Sequence, residues 1–343
     1  MADDTKLSSC CSVWKKVKII IVVFTFLFLC SGLVSGYFAL SYFKKPGPLH
    51  KTTKLFIPQG SSLKAISKIL ADNSVIKYPN IFTLIVRFHE GAKDLKAGEY
   101  QFEANISPVS VVNKIIQGDV VIYNLTIPEG LMTFQILQII KDAPYMTDEV
   151  LSDVKEGSLL PETYDYRYGD SRSSMIIRMQ NMMSDVLDKA WANKADNLPL
   201  KSKEEALILA SIIEKETSIE SERTRVSAVF INRLRNNMLL QTDPTVVYAV
   251  TEGRYVLDRP LSNKDLGTDS PYNTYKKNGL PPTPISNPGK ASIAAALNPI
   301  DSKELYFVAD GTGGHRFAAT LQEHNKNVHQ WRTINKNKNN VGN

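Results

Sequence analysis

A long uncharged segment near the N-terminus limits what this chain can fold into. Residues 19–43 contain no charged side chain. About 20 consecutive apolar residues can cross a bilayer as a helix, so this segment predicts a single transmembrane anchor. It is too long for the apolar part of a signal peptide, and it lacks a small-residue cleavage site. Residues 1–18 are then a cytoplasmic N-terminus, and residues 44–53, which contain Pro46-Gly47-Pro48, are a linker.

Lysine and cysteine positions constrain the compartment. The lysines that flank the anchor are nearly equal in number on its two sides, so charge alone does not set its orientation. The long polar remainder follows the anchor, and such segments are translocated largely regardless of charge. All three cysteines (Cys10, Cys11 and Cys30) lie in or before the anchor, which suits an oxidising compartment for the rest. We therefore expect a single-pass membrane protein whose main part is translocated into an oxidising compartment such as a periplasm.

An internal repeat follows the linker. Ile57-Pro58-Gln59-Gly60 and Ile127-Pro128-Glu129-Gly130 are each followed by two isoleucines at the same offsets. Each copy reads as a short strand, a tight turn and an amphipathic helix. Residues 54–145 therefore predict a small α+β module, which we describe as LysM-like, and binding or spacing is its natural role.

One helix carries two candidate carboxylates. Ser202-Lys203-Glu204-Glu205 has the pattern of a capping box, and the helix that follows is apolar almost all round. Glu214 and Glu216 lie about 200° apart on it, given 100° per residue, so only one of them can face a given cleft. An apolar setting raises the pKa of a carboxyl group, as a proton donor near neutral pH requires. Periodicity does not choose between the two, and either could be an ordinary surface carboxylate.

The segments downstream of this helix are polar and aromatic. A helix over 222–236 predicts an inward apolar face and a solvated face of arginines, Arg233 among them. Asp243-Pro244 either begins a short helix or contributes a catalytic carboxylate. Loops at 271–275 and 279–285 combine Tyr, Asn and Pro, as a carbohydrate groove would.

Several chemistries lack their sequence signatures. The chain has no H-E-x-x-H, no G-x-S-x-G and no phosphate-binding G-x-x-x-x-G-K-[ST], so we expect no metal and no cofactor. The net charge of +6 comes without a Lys/Arg block interleaved with aromatics, so nucleic acid is not expected as a partner. Acid–base chemistry by one carboxylate remains. Ordinary glycoside hydrolysis uses two carboxylates, but one suffices if the substrate supplies the nucleophile.

Residues 205–331 resemble the endolytic murein transglycosylases of the YceG-like family. The resemblance rests on six ordered segments: 209–217 (LASIIEKET), 229–234 (VFINRL), 240–246 (LQTDPTV), 272–275 (YNTY), 279–282 (GLPP), and 306–311 (YFVADG) with Gly314-His315. It implies a mixed α/β catalytic domain over 146–333, built around a buried helix with the catalytic glutamate. Residues 334–343, rich in Asn and Lys, predict a disordered tail.

The resemblance also implies an activity and a set of site residues. It matches the catalytic glutamate to Glu214, and it implies lytic cleavage of the MurNAc-β-1,4-GlcNAc bond with formation of 1,6-anhydroMurNAc ends. Peptidoglycan glycan strands would be the substrate and peptidoglycan synthases the partners, with nascent strands being trimmed. The residues expected to bind substrate are Gln241, Thr242, Asp243, Tyr272, Asn273, Tyr275 and His315.

Two alternatives remain open. One is a lysozyme-like hydrolase that uses Glu214 together with Asp243. The other is a membrane-anchored scaffold that binds peptidoglycan without turning it over.

Overall fold

A computed structural model describes residues 4–88, 95–150 and 153–341. The first three residues of the predicted cytoplasmic segment and the last two of the predicted tail lie outside the described residues. The chain forms two compact units, Met1–Ile122 and Tyr123–Asn343, which we describe separately. Among the described residues, the first unit combines helices with one two-stranded antiparallel sheet, and the second combines helices with two such sheets. The predicted mixture of helix and sheet is therefore confirmed.

The first unit begins with the predicted anchor. Its elements are α1 (Asp4–Lys44), β1 (Thr53–Ile57), α2 (Leu63–Asp72), α3 (Pro79–Arg87), β2 (Gly98–Phe102) and α4 (Pro108–Gln117). Residues Lys16–Lys44 of α1 are long and apolar enough to cross a membrane, and none of that window is covered by the rest of the protein. The helix therefore fits a single-pass anchor by length and composition.

The segment predicted as a linker is packed in the first unit. Leu49 is only 4% exposed and joins the apolar core formed by α2, α3, α4 and the β1–β2 sheet. The backbone N–H of Asn105 donates to the Leu49 carbonyl at 2.7 Å, and that of Gly47 donates to the Ile106 carbonyl at 3.1 Å. An apolar side chain and paired backbone groups thus hold residues 44–53 in place.

The second unit holds the rest of the chain. Its elements are β3 (Tyr123–Thr126), α5 (Thr133–Asp142), β4 (Thr163–Tyr166), α6 (Arg172–Ala192), α7 (Lys203–Glu216), a 3₁₀ turn (Glu220–Glu222), α8 (Arg223–Arg235), α9 (Asp243–Thr251), α10 (Asn263–Leu266), α11 (Lys290–Leu297), β5 (Tyr306–Ala309), β6 (His315–Ala318) and α12 (Leu321–Val341). β3 pairs with β4, and β5 pairs with β6, both antiparallel.

The two copies of the sequence repeat fall in different units. β1 and α2 form the first copy, whereas β3 and α5 form the second. The division between the units at 122/123 therefore lies inside the predicted 54–145 module. The LysM-like assignment of that module stays a prediction.

Helix α7 lies at the centre of the second unit. Helices α6, α8, α9 and α11 all contact it, and its residues 208–213 are buried. The hydroxyl of Ser202 accepts a hydrogen bond from the Glu205 backbone N–H and so begins the helix, as the capping pattern predicts. The helix ends at Glu216, where Thr217 takes an extended conformation. Both candidate glutamates therefore lie in its last turn, at the edge of the core.

One expectation about the second unit differs from the structure. Arg233 is not on a solvated face of α8, because it is 8% exposed and donates to the carbonyls of Leu239, Leu240 and Leu305.

Helix α12 is drawn to Val341, and the disorder of residues 334–343 stays a prediction. No Gly or Pro interrupts residues 321–341, so nothing in the backbone stops the helix there.

Gly157 provides a stability test of the second unit. Its φ is +77°, and a Cβ built on it would lie 2.6 Å from Cβ and Cγ of Pro284. Gly157→Ala is therefore expected to lower the free energy of unfolding by about 2–4 kcal/mol, from backbone strain plus overpacking. Gly169→Ala is the matched control, because Gly169 has a φ of +87° but nothing within 4 Å. Denaturant unfolding of both variants measures the difference, and equal losses would contradict it.

Candidate active site

The last turn of α7 presents its two glutamates to different surroundings. Glu214 and Glu216 are each partly buried. Their side chains have no partner in common among the described residues, as the predicted angular separation requires. The chemistry open to each carboxyl therefore depends on what the rest of the second unit brings to it.

Glu214 faces the start of helix α11, at Gly289. Its Oε2 accepts a hydrogen bond from the Gly289 backbone N–H at 2.9 Å. Gly289 is the N-cap of α11, so this carboxyl lies at the N-terminal end of that helix. Gly130 also lies close, since a Cβ there would be 3.3 Å from Glu214 Cγ. Glu214 thus occupies a close-packed corner, where it accepts a backbone hydrogen bond.

Glu129 joins Glu214 at this corner, and sequence reasoning missed it. A Cβ on Gly289 would come within 1.7 Å of Glu129 Oε1, so this carboxyl lies directly against the glycine. Burial raises the pKa of Glu129, and the negative charge of Glu214 raises it further. Arg223 opposes this, with its Nη2 at 3.8 Å from Glu129 Oε2. The only sequence signal was a Glu in the second repeat where the first has Gln59.

Glu216 faces the groove residues predicted from the sequence. Its Oε1 accepts a hydrogen bond from the Thr242 hydroxyl. Burial raises the pKa of Glu216, and the nearby negative charge of Asp243 raises it as well. The Thr242 hydrogen bond and the electrostatic effects of His315 and Arg233 act in the opposite direction and lower the pKa. The net effect is a raised pKa, which is the property expected of a general acid.

Asp243 is the second carboxylate of this cluster. It is the first residue of α9 and exposed, and it accepts a hydrogen bond from the Tyr275 hydroxyl to Oδ1 at 2.7 Å. It also lines a cleft of about 210 Å³. The other residues that line this cleft are Met132, Lys215, Pro244, Val247, Tyr248 and Ile285. Open space of this kind beside a carboxyl pair could admit part of a ligand.

The remaining predicted groove residues divide into two groups. Gln241 is exposed, adopts a φ of +50°, and receives a hydrogen bond from Arg233 at 3.4 Å. Tyr272 is half-buried, stacks obliquely on Tyr248, and shares a hydrogen bond with Thr283. These side chains can reach a ligand.

Asn273, another predicted substrate-binding residue, lies deeper than Gln241 and Tyr272. It is fully buried, and its amide donates to the carbonyls of Leu266 and Thr268 at 3.0 and 2.7 Å. Its Oδ1 accepts from the Tyr275 backbone N–H at 3.0 Å. In the structure Asn273 therefore shapes the loop that carries Tyr275, and its side chain is occupied by backbone groups.

Glu156 and Asn287 form a buried polar network. Glu156 Oε1 accepts from the backbone N–H and hydroxyl of Thr133, at 2.8 and 2.9 Å, and from Asn287 Nδ2 at 3.0 Å. Burial raises the pKa of Glu156. Asn287 also pairs its backbone with Gly130 and Leu131. The network thus joins the turn at Glu129 to the segment just before α11.

Comparison with known proteins places the chain in a family. A model of the YceG-like family matches residues 55–330. A Bacillus subtilis protein named endolytic murein transglycosylase is 34% identical over 306 residues, which cover 80% of this chain and 83% of that protein. A Streptococcus pneumoniae protein of the same name is 29% identical and covers 91% of this chain, which spans 65% of that protein's length.

A solved structure agrees. A crystal structure of a Listeria monocytogenes protein described as yceG-like is 35% identical to this chain, with a TM-score of 0.50. The match covers 81% of this chain and 99% of that one. With the family model spanning most of its length, this chain belongs to the YceG-like family.

Proposed function

We propose that this chain is a membrane-anchored lytic transglycosylase that cleaves the glycan strands of peptidoglycan. Two relatives with this activity in their names support the function, one of them at 34% identity over most of the chain. The observation that carries the chemistry is the half-buried carboxyl of Glu216, with its raised pKa, among side chains suited to bind a sugar. Such a carboxyl group can donate a proton as a general acid and then accept one as a general base.

We take Glu216 as the proposed general acid because predicted groove residues surround it. Thr242, Asp243 and His315 act on Glu216, and these are residues that the resemblance marks as substrate-binding. Glu214 instead accepts the backbone N–H of Gly289 at the start of α11. The resemblance matched the catalytic role to Glu214, and that assignment stays a prediction, which paired variants can test.

The proposed reaction needs one carboxyl group and no water. Protonated Glu216 donates its proton to the oxygen of the MurNAc-β-1,4-GlcNAc bond as the bond from C1 breaks. The resulting carboxylate then accepts the proton of the muramic acid C6 hydroxyl, whose oxygen attacks C1. The products are a 1,6-anhydroMurNAc end and a free GlcNAc 4-hydroxyl, and Glu216 is protonated again. Substrate and products therefore contain the same atoms.

Asp243 gives a hydrolytic mechanism a specific basis as the second candidate. It lies near Glu216 and beside a cleft, so it could activate a water as a second carboxylate. Digestion of purified peptidoglycan by the full-length protein, followed by mass spectrometry, separates the two mechanisms. We expect anhydro ends, about 18 Da lighter than reducing ends because no water is added. Reducing ends would establish hydrolysis, and glycan binding without cleavage would indicate a scaffold.

The pH dependence of turnover should report the charge of Asp243. The general acid must be protonated, so kcat/KM falls as pH rises through the pKa of Glu216. The charge of Asp243 raises that pKa. Asp243→Asn is therefore expected to move the alkaline limb of the pH profile of kcat/KM to lower pH. The matched control is Asp258→Asn, since Asp258 is also exposed and has no contact with Glu216 among the described residues. A limb that does not move in Asp243→Asn would contradict the assignment of Glu216.

The anchor would hold the enzyme close to where strands are made. We propose that α1 spans the plasma membrane and that the second unit lies on its outer, periplasmic side. Nascent strands near peptidoglycan synthases are then the natural substrate. Protease digestion of intact spheroplasts tests the orientation, because cleavage of the second unit from outside requires it to be exported.

A further inference from the structure

His315 is held by a carboxylate that the proposed mechanism does not use. Glu222, the last residue of the 3₁₀ turn, binds His315 twice. Its Oε1 accepts the His315 backbone N–H at 2.9 Å, and its Oε2 lies 2.7 Å from the ring Nδ1. Both side chains are more than four-fifths buried. The contact is therefore built into the fold and is not a chance surface pairing.

The surroundings fix the ring in one orientation. Phe307 and Phe317 contact the imidazole edge to face, with centroids at 5.3 and 6.3 Å. An ionised carboxylate only accepts hydrogen bonds, so the Nδ1 facing it must carry the proton. The ring Nε2 makes no hydrogen bond to any other residue that the structure describes. The second nitrogen is thus left available for a ligand.

Glu222 also touches the end of α7. Its Oε2 lies 3.4 Å from the hydroxyl of Thr217, the residue that follows Glu216. That hydroxyl in turn accepts the Ile219 backbone N–H at 3.1 Å. One carboxylate therefore ties the ring of His315 to the turn that carries Glu216.

We propose that Glu222 is a positioning residue, which holds His315 with its proton on Nδ1 so that Nε2 faces the glycan bound at Glu216. A carboxylate that receives an imidazole N–H fixes both tautomer and ring orientation. In this role His315 binds substrate, and Glu222 acts only through His315. The kinetic part of the inference rests on the proposed function, whereas the tautomer does not.

Glu222→Gln tests the inference because the amide has nearly the same shape. One of its two ends must now present N–H groups, so it cannot accept both His315 donors. If the amide oxygen keeps the backbone N–H, the amide nitrogen faces Nδ1 and favours the tautomer with its proton on Nε2. Glu220→Gln is the matched control, since Glu220 is an exposed glutamate in the same turn.

Two readouts are needed. Nitrogen-15 NMR of the full-length protein in nanodiscs, with His315 identified by the signals lost in His315→Asn, should show Nδ1 protonated in wild type. In Glu222→Gln the proton should move toward Nε2. Turnover of glycan strands by this variant should fall about 10- to 100-fold, as when residues that orient a histidine are lost. Glu220→Gln should match wild type in both readouts.

The outcomes that overturn the inference are distinct. An unprotonated Nδ1 in wild type would reject the fixed tautomer, even if Glu222→Gln failed to fold. A Glu222→Gln variant with the altered tautomer but wild-type turnover would reject the positioning role. If wild type released no anhydro products, the proposed function would fail, and the NMR result would still decide the ring geometry.

Discussion

Replacing Glu216 by Gln is expected to remove almost all formation of anhydro ends from glycan strands. The amide can still accept the hydrogen bond from Thr242 but holds no transferable proton. General acid–base catalysis contributes roughly 10²- to 10⁴-fold to the rate, so kcat should fall at least about 100-fold. Binding should survive, because the shape of the side chain is unchanged. Mass spectrometry of digests gives the rate, and pull-down with insoluble peptidoglycan gives the binding.

Glu214→Gln is the control that makes this experiment decisive. The amide oxygen can keep the hydrogen bond from the Gly289 N–H, so the variant should fold and turn over within a few-fold of wild type. Loss of activity in Glu214→Gln together with full activity in Glu216→Gln would restore the assignment implied by resemblance. Equal melting temperatures for the two variants would show that the difference is chemical.

The sequence predicted the helix but could not predict the choice between its glutamates. Capping by Ser202, the apolar character of α7 and the angular separation of the two carboxyls are local properties, and the structure agrees with each. The proposal of Glu216 as the general acid depends on Thr242 and Asp243; Thr242, which donates to Glu216, lies 26 residues downstream of it. Neither periodicity nor composition contains such a tertiary contact.

Arg233 and Asn273 show the same limit for polar residues. Both were expected at the surface or in the groove, yet both are buried with their donors satisfied by backbone carbonyls. Those carbonyls belong to residues at the ends of helices and strands or in the loops between them: Leu239, Leu240 and Leu305 for Arg233, and Leu266 and Thr268 for Asn273. A polar side chain that donates to a buried backbone carbonyl cannot be told from a solvated one by sequence alone.

The two copies of the repeat also depend on contacts that the sequence does not contain. Similar local patterns at 57–60 and 127–130 form similar strand–turn–helix elements, as predicted. Their surroundings differ, because the second copy lies in the unit that contains α7. Glu129 therefore meets Glu214, and a turn interpreted as part of a binding module borders the candidate site.

Replacing Asn287 by Leu is expected to cost the second unit about 3 kcal/mol or more of unfolding free energy. Leu has a similar shape but leaves four groups without their amide partner: the Leu159 N–H, the Leu131 carbonyl, Thr133 Oγ1 and Glu156 Oε1. Each buried group that loses its partner costs about 1–3 kcal/mol, and a buried carboxylate costs more. Thr133 still donates to Glu156, which limits the loss there.

The effect of Asn287→Leu on catalysis should follow from this loss of stability. The Asn287 backbone accepts from the Gly130 N–H at 2.9 Å and donates to the Leu131 carbonyl at 2.8 Å, and both bonds survive the substitution. At temperatures well below melting, the folded fraction should therefore turn over glycan at nearly the wild-type rate. Asn298→Leu is the matched control, because Asn298 is exposed and makes one long side-chain hydrogen bond, at 3.4 Å. Its unfolding free energy should change by no more than about 0.5 kcal/mol. Equal unfolding free energies for the two variants would contradict this prediction, because they would show that the side-chain hydrogen bonds of Asn287 do not stabilise the second unit.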